Sequence, residues 1–317
     1  MKRLLLIVCG IVLLSSSADA QQRFRRTSFP LNSFVVNPAV AGTEPYAVAG
    51  MSYRNQWAGF EGGPTTMLVS GHSSVAKTLG AGLLIYKDDM GGAVSQTGFE
   101  LTGSYQFKLL NSDVVSFGLC LQGTQFGFDS RNLNVWDADD PALSGGIETS
   151  FGVDASTGIL VYGIDYSFGL SINNLFQDEL GFAAVDTGYN KSIRHYRVMG
   201  SYEYEIDRDL SIESSGMIRL TEVTPVQVDL YARAIYTHSR YKAQFWGGLG
   251  WRLKDALSMS AGMFYMNTEI SYTYDFTTNA YLLGRSSHEV NIAYFIPTRM
   301  NGYKGYKRVL QRSRLVK

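Results

Sequence analysis

Nowhere does this 317-residue chain hold about eighteen consecutive apolar residues, so no segment is long enough to cross a bilayer as a helix. Cysteine is nearly absent, with only Cys9 and Cys120, which excludes a disulfide framework. Charge of either sign is not in excess, because the formal net charge is zero, and a nucleic-acid partner is therefore not indicated. The four histidines form no HExxH: His288-Glu289 is followed by Val290, Asn291 and Ile292, so a second zinc ligand is missing. No glycine-rich phosphate loop follows a strand and opens a helix, and no catalytic, metal or cofactor site is expected.

Lys2 and Arg3 followed by the apolar run Leu4–Leu14 and by Ala18-Asp19-Ala20 read as a signal peptide spanning residues 1–20. Its removal takes Cys9 away and leaves 26 basic and 27 acidic residues. What remains is rich in glycine, tyrosine and phenylalanine, at 33, 20 and 17 residues, with only 7 prolines, a composition suited to many short strands. The next nine residues, QQRFRRTSF, show no sign of a plug domain, which argues against siderophore-type import.

Alternation with period two selects among secreted β-rich folds. In 99–108, Phe99, Leu101, Gly103, Tyr105 and Phe107 oppose Glu100, Thr102, Ser104, Gln106 and Lys108. Segments 196–206 and 226–236 repeat the pattern, the latter setting Leu230 against Asp229 and Arg233. Charges on the second face, including Lys242, do not fit the dry core of a soluble sandwich. About fourteen segments of this kind span 44–297, and they are joined by short turns alternating with connections that are mostly longer. The expectation is all-β: an outer-membrane antiparallel β-barrel with short periplasmic turns, longer extracellular loops and a lumen partly filled by in-folded loops. Cys120, between Leu119 and Leu121, is expected to point inward. Residues 21–43 then form an N-terminal periplasmic segment and 298–317 a basic periplasmic tail.

Two stretches are specific. Asn37-Pro38-Ala39-Val40-Ala41-Gly42 and Tyr53-Arg54-Asn55-Gln56-Trp57-Ala58-Gly59-Phe60-Glu61-Gly62-Gly63-Pro64 closely resemble the NPAxAG-like and YRxQWxGfxGxP-like elements of the PorP/SprF family of type IX secretion proteins. Asp88-Asp89-Met90-Gly91, Asp139-Asp140-Pro141, Gly169–Asn173, Trp246–Arg252, Ser271–Asp275 and Ser287-His288-Glu289 follow in family-like order. The resemblance implies a Gram-negative outer-membrane barrel, in contact with membrane lipid, that works with the type IX system. It also implies partners: secretion components, a secreted adhesin with a C-terminal sorting domain as in gliding motility, or a periplasmic peptidoglycan-binding lipoprotein. A passive diffusion channel or small-molecule uptake barrel is the alternative.

Candidate sites follow. Arg54, Trp57, Phe60, Gly62, Gly63 and Pro64 lie on the first extracellular loop, as a partner-binding surface or as a plug over the mouth. Lys304, Lys307, Arg308, Arg312 and Arg314 form a cationic tail, either solvated or docking a periplasmic partner. Asp137, Asp139 and Asp140 read as a solvated acidic tip rather than a Ca²⁺ loop, and Asp88-Asp89 reads the same way.

Overall fold

The computed structural model describes residues 29–109, 113–132, 146–178, 191–238, 240–278 and 284–298. Fourteen strands run in chain order: β1 (Tyr46–Ala58), β2 (Thr65–Ser74), β3 (Leu79–Asp89), β4 (Val94–Lys108), β5 (Val114–Asp129), β6 (Ile147–Tyr162) and β7 (Tyr166–Asn173), then β8 (His195–Glu205), β9 (Leu210–Thr221), β10 (Gln227–His238), β11 (Ala243–Arg252), β12 (Ala256–Tyr265), β13 (Thr268–Thr277) and β14 (Ser286–Pro297). Each pairs antiparallel with its sequence neighbours, and β1 closes on β14 with Tyr46 opposite Pro297 and Ser52 opposite Asn291. The result is a closed meander, the form in which strands cross a membrane.

The alternation seen in the sequence sets the inside and the outside. On β5, Leu119 and Leu121 are 58% and 54% exposed while Cys120 between them is 1% exposed. On β4, Phe99, Leu101 and Tyr105 face out while Glu100, Thr102, Ser104 and Gln106 are buried. A soluble sandwich has the opposite polarity, so this outward apolar band belongs against lipid. Polar and charged residues turn inward because the closed wall gives them partners there.

Short connections gather at one end of the barrel. The two-residue turn Met266-Asn267 between β12 and β13 holds both residues at positive φ, 47° and 63°, matching the twist of a hairpin. Lys242, with φ of 49°, is in the β10–β11 turn and exposed, so it is a turn charge and not a lumen charge. By the rule for outer-membrane barrels this end faces the periplasm.

At the opposite end the strands reach further than the sequence pattern implies. β5 and β6 pair over sixteen residues, from Val114 opposite Tyr162 to Asp129 opposite Ile147. Asp88 is not a solvated tip: it closes β3 as a buried inward residue, accepting from Thr66 Oγ1 at 2.5 Å and Gln96 Nε2 at 3.1 Å. The signal peptide, Asp137, Asp139 and Asp140, and the basic tail with Lys304, Lys307, Arg308, Arg312 and Arg314 lie outside the described residues.

Candidate functional site in the barrel lumen

The lumen holds a segment of the chain's own N-terminal region. Phe29–Thr43, the described part of 21–43, is folded within the barrel near the short-turn end, and its residues Phe34–Thr43 are buried throughout. QQRFRRTSF gave no sign of such an element; it is a short strap rather than a folded plug domain. In-folded loops were expected to fill the interior, but among the described residues this strap does so.

Sequence dictates the strap's shape locally. Asn37 caps a short 3-10 turn over Pro38–Val40: its Oδ1 accepts from Ala39 N at 2.9 Å, and Pro38 occupies the first turn position, where no N–H is needed. Gly42 then adopts φ of +67°, a left-handed conformation natural to glycine, and turns the chain toward β1. The NPAVAG motif is thus a cap, a turn and an exit.

The wall receives several polar groups of this irregular piece. Asn37 Nδ2 donates to Ile159 O at 3.2 Å and Leu170 O at 3.3 Å, bridging the paired strands β6 and β7. Ser171 Oγ and Arg197 Nη1 donate to Val36 O, and Ser116 Oγ donates to Ala39 O at 2.6 Å. Ser104 Oγ and Gln106 Nε2 donate to Ala41 O. Gly42 N donates to His72 Nδ1 at 3.3 Å, and Asn32 Nδ2 to Ser70 Oγ at 2.8 Å. Apolar contacts complete the fit: Phe34, Val35, Ala39, Val40 and Ala41 cluster with Leu68, Leu84, Tyr86, Val114, Leu160 and Tyr162. Phe29 and Val36 pack on Met199, Met217 and Tyr231. The strap therefore touches wall strands from β2 to β10.

Gly118 and Gly158 are among the wall positions that admit this approach because they lack a side chain. A Cβ on Gly118 would stand 2.2 Å from Ala39 N, and one on Gly158 would stand 2.1 Å from Asn37 Oδ1. Both distances are impossible contacts, so these glycines are seats for the strap.

Toward the other end the wall carries alternating charge. Arg54 on β1 donates from Nη2 to Asp275 at 2.8 Å and from Nη1 to Glu289 at 3.2 Å. Arg252 approaches Asp275, Asp229 and Asp255, and Arg219 bonds Asp229 at 2.6 Å. Arg233 binds Glu213 at 2.7 Å, lies 3.7 Å from Glu269 and stacks 5.0 Å above Trp246, whose Nε1 donates to Glu269. Strands β9, β10, β11, β13, β14 and β1 are thereby cross-linked from inside.

Arg54 is accordingly a wall residue and not part of the first loop. The loop proper sits on the rim: Gly59–Gly62 are exposed, and Phe60 lies 5.7 Å beneath the Arg285 guanidinium, which also donates to Gly59 O. Trp57 marks a bulge in the β1–β14 ladder, with φ of 54° and its N–H on Ser287 Oγ. Pro64 O accepts from Gln56 N, and Gly63 N donates to Phe60 O, closing the turn. Gly62 touches the β3–β4 connection, where a Cβ on Gly91 would meet Gly62 O at 1.9 Å.

The histidines do not form a reactive constellation. His288 faces outward, bonded to Tyr272 and near Ser286, while Glu289 beside it turns inward to Arg54. His72 serves the strap on a different strand. No cluster of three metal-ligating side chains occurs among the described residues.

Comparison with known proteins bears on this geometry. The family model for "Type IX secretion system membrane protein PorP/SprF" matches residues 18–294. No curated sequence is a significant match. Among solved structures, the Ralstonia pickettii toluene transporter TbuX is similar at a TM-score of 0.51 and 11% identity, over 83% of this chain and 92% of that one. A Pseudomonas aeruginosa FadL homologue is similar at a TM-score of 0.48 and 10% identity, over 78% of this chain and 90% of that one. At 11% identity the likeness to TbuX is one of fold: an outer-membrane barrel.

Proposed function

We propose that this chain, which belongs to the PorP/SprF family of type IX secretion system membrane proteins, is a sealed, non-enzymatic outer-membrane barrel. On this reading it holds a secreted protein with a C-terminal sorting domain, such as an adhesin, at the cell surface. A periplasmic component of the machinery, such as a peptidoglycan-binding lipoprotein, meets its other end. The observation that carries the reading is the occupied lumen. A diffusion or uptake barrel needs a path through its interior, and here Phe29–Thr43 lies across that path, bonded to wall strands on several sides. The chemistry left available is on the outer rim, where Phe60 is half exposed beside Arg285. Aromatic residues and arginine are enriched at protein interfaces over the rest of the surface.

The test pairs secretion with conductance. In the Trp57→Ala, Phe60→Ala double variant the barrel assembles, and the surface level of the sorting-domain protein falls. The intact protein in a planar bilayer passes little current. Steady porin-like current from the intact protein, together with an unchanged surface proteome in a strain lacking the chain, overturns the proposal in favour of a channel.

A further inference from the structure

Most of the side chains that hold the strap cannot change charge. Ser104, Gln106, Ser116 and Ser171 are neutral, and Arg197 stays cationic. His72 differs, because an imidazole changes charge between about pH 5 and 8. Its Nδ1 accepts from Gly42 N at 3.3 Å, so that nitrogen carries no proton and the ring is neutral. The same ring lies against Phe34, with centroids 4.9 Å apart. His72 therefore touches the strap on both sides of the Asn37 cap.

The surroundings of His72 supply a second arrangement. A cavity of about 80 Å³ borders it at the short-turn end, roomy enough for water to deliver a proton. The wall brings no charge to it: Val48 of β1 and Gly82 of β3 stand opposite, and Ser70 and Ser74 flank it on β2. Three other titratable side chains border the cavity among the described residues, and two of them are engaged. Glu213 is held by Arg233, and Tyr162 donates to Gln106 Oε1 at 3.1 Å. The third is Glu44, two residues past Gly42 where the strap leaves for β1. Its Oε2 is buried and accepts no hydrogen bond, which is costly for a carboxylate.

The strap is held most sparsely on this side. Among the described residues two hydrogen bonds join it to β2, Asn32 Nδ2 to Ser70 Oγ and Gly42 N to His72. Next to them a narrow gap of about 30 Å³ separates Leu31 and Asn32 from Glu269, Ser271 and Asn291 of the β13–β14 wall.

We infer that His72 is a proton-operated latch: a second proton on the ring breaks its bond to Gly42, gives Glu44 a cationic partner and frees the strap from β2. The inference rests on the sealed-lumen reading above and adds a condition under which the seal yields. Once Nδ1 is protonated, two N–H donors face each other where a hydrogen bond stood. The strap's exit turns away at Gly42, and the Phe34 side loses its place on the ring. Asn37, Ser116 and Ser171 keep the middle of the strap on β5, β6 and β7, so the gap widens along β1 and β14 while the strap stays in the lumen.

The experiment records the intact protein in a planar bilayer at about pH 7.5 and about pH 5, and compares the two currents within each variant. The parent passes about fivefold more current or greater in acid, the factor by which losing one hydrogen bond shifts a two-state equilibrium. His72→Gln, whose side-chain carbonyl accepts without titrating, loses the acid rise. Glu44→Gln needs more acid for it, because the imidazolium no longer has a carboxylate beside it. A further variant leaves His72 in place: Asn32→Cys with Ser70→Cys, at side chains now 2.8 Å apart, ties the strap to β2 when oxidised. Its acid rise is absent in the oxidised form and returns on reduction, and this comparison decides alone if His72→Gln fails to assemble. A parent current that stays flat in acid overturns the latch and leaves the sealed reading standing. So does a rise that persists in His72→Gln or in the oxidised pair, or one that does not shift in Glu44→Gln. A high current from the parent at neutral pH overturns the sealed reading itself, and the latch with it.

Discussion

Arg54 shows how a residue prominent in the sequence acquires its role only from position. It looked like part of a loop, because Trp57, Phe60 and the glycines follow within nine residues. The strand instead continues to Ala58, and the inward phase of β1 delivers the guanidinium to Asp275 and Glu289, 221 and 235 residues away in sequence. Nothing local to Arg54 marks those carboxylates as its partners. A planar fork with several donors serves two carboxylates at once, which an ammonium does with poorer geometry. Arg54→Ala leaves both acids buried without this cation, and removing one partner of a buried pair costs about 3–5 kcal/mol. The expected result is a lower unfolding temperature by heat-modifiable gel migration, with Arg54→Lys intermediate. Equal migration for the three proteins would show that the inward pairs do not brace the wall.

The strap is an element whose behaviour separates from that of the wall. Its bonds are individually modest, about 0.5–1.5 kcal/mol each, so its hold depends on fit as well as on number. Alanine at Gly118 and Gly158 places methyl groups against Ala39 and Asn37, and the backbone of the strap has to move away. Neither change disturbs strand pairing, since alanine is at home in a strand. The Gly118→Ala, Gly158→Ala protein is expected to assemble normally, yet pass measurably more current in a planar bilayer than the parent. Unchanged current would mean that the strap does not seal the lumen. The strands themselves were legible in the sequence, because a wall with lipid on one side and polar groups on the other writes a strict period of two into the chain. The strap was not, because two short 3-10 turns, Ser33–Val35 and Pro38–Val40, and the irregular backbone around them have no period. Its recognition is distributed over side chains such as Ser104, Ser116 and Ser171, which read as ordinary inward polar residues. Inward glycines such as Gly118 and Gly158, which receive Ala39 and Asn37, were the available signal.

For the molecule as a whole, the governing fact is that the solvent outside is hydrocarbon, and its effect depends on depth. Leu121 lies near the middle of β5, outward and 54% exposed, opposite Ala155 on β6. Ile206 is also outward and 49% exposed, but it sits in the β8–β9 turn at the short-turn end. Exposure in water would make the two positions equivalent, and a soluble protein would accept a charge at both. In a membrane the midplane position is far costlier: about 2–4 kcal/mol for an arginine, against about 0–1 near an interface. Leu121→Arg is therefore expected to lower folding stability in lipid vesicles by that larger amount, while Ile206→Arg leaves it nearly unchanged. Detergent micelles, which deform around a charge, should shrink the difference. Equal losses for the two variants in vesicles would place Leu121 outside the hydrocarbon, and with it the depth assigned to the whole outward band from β1 to β14.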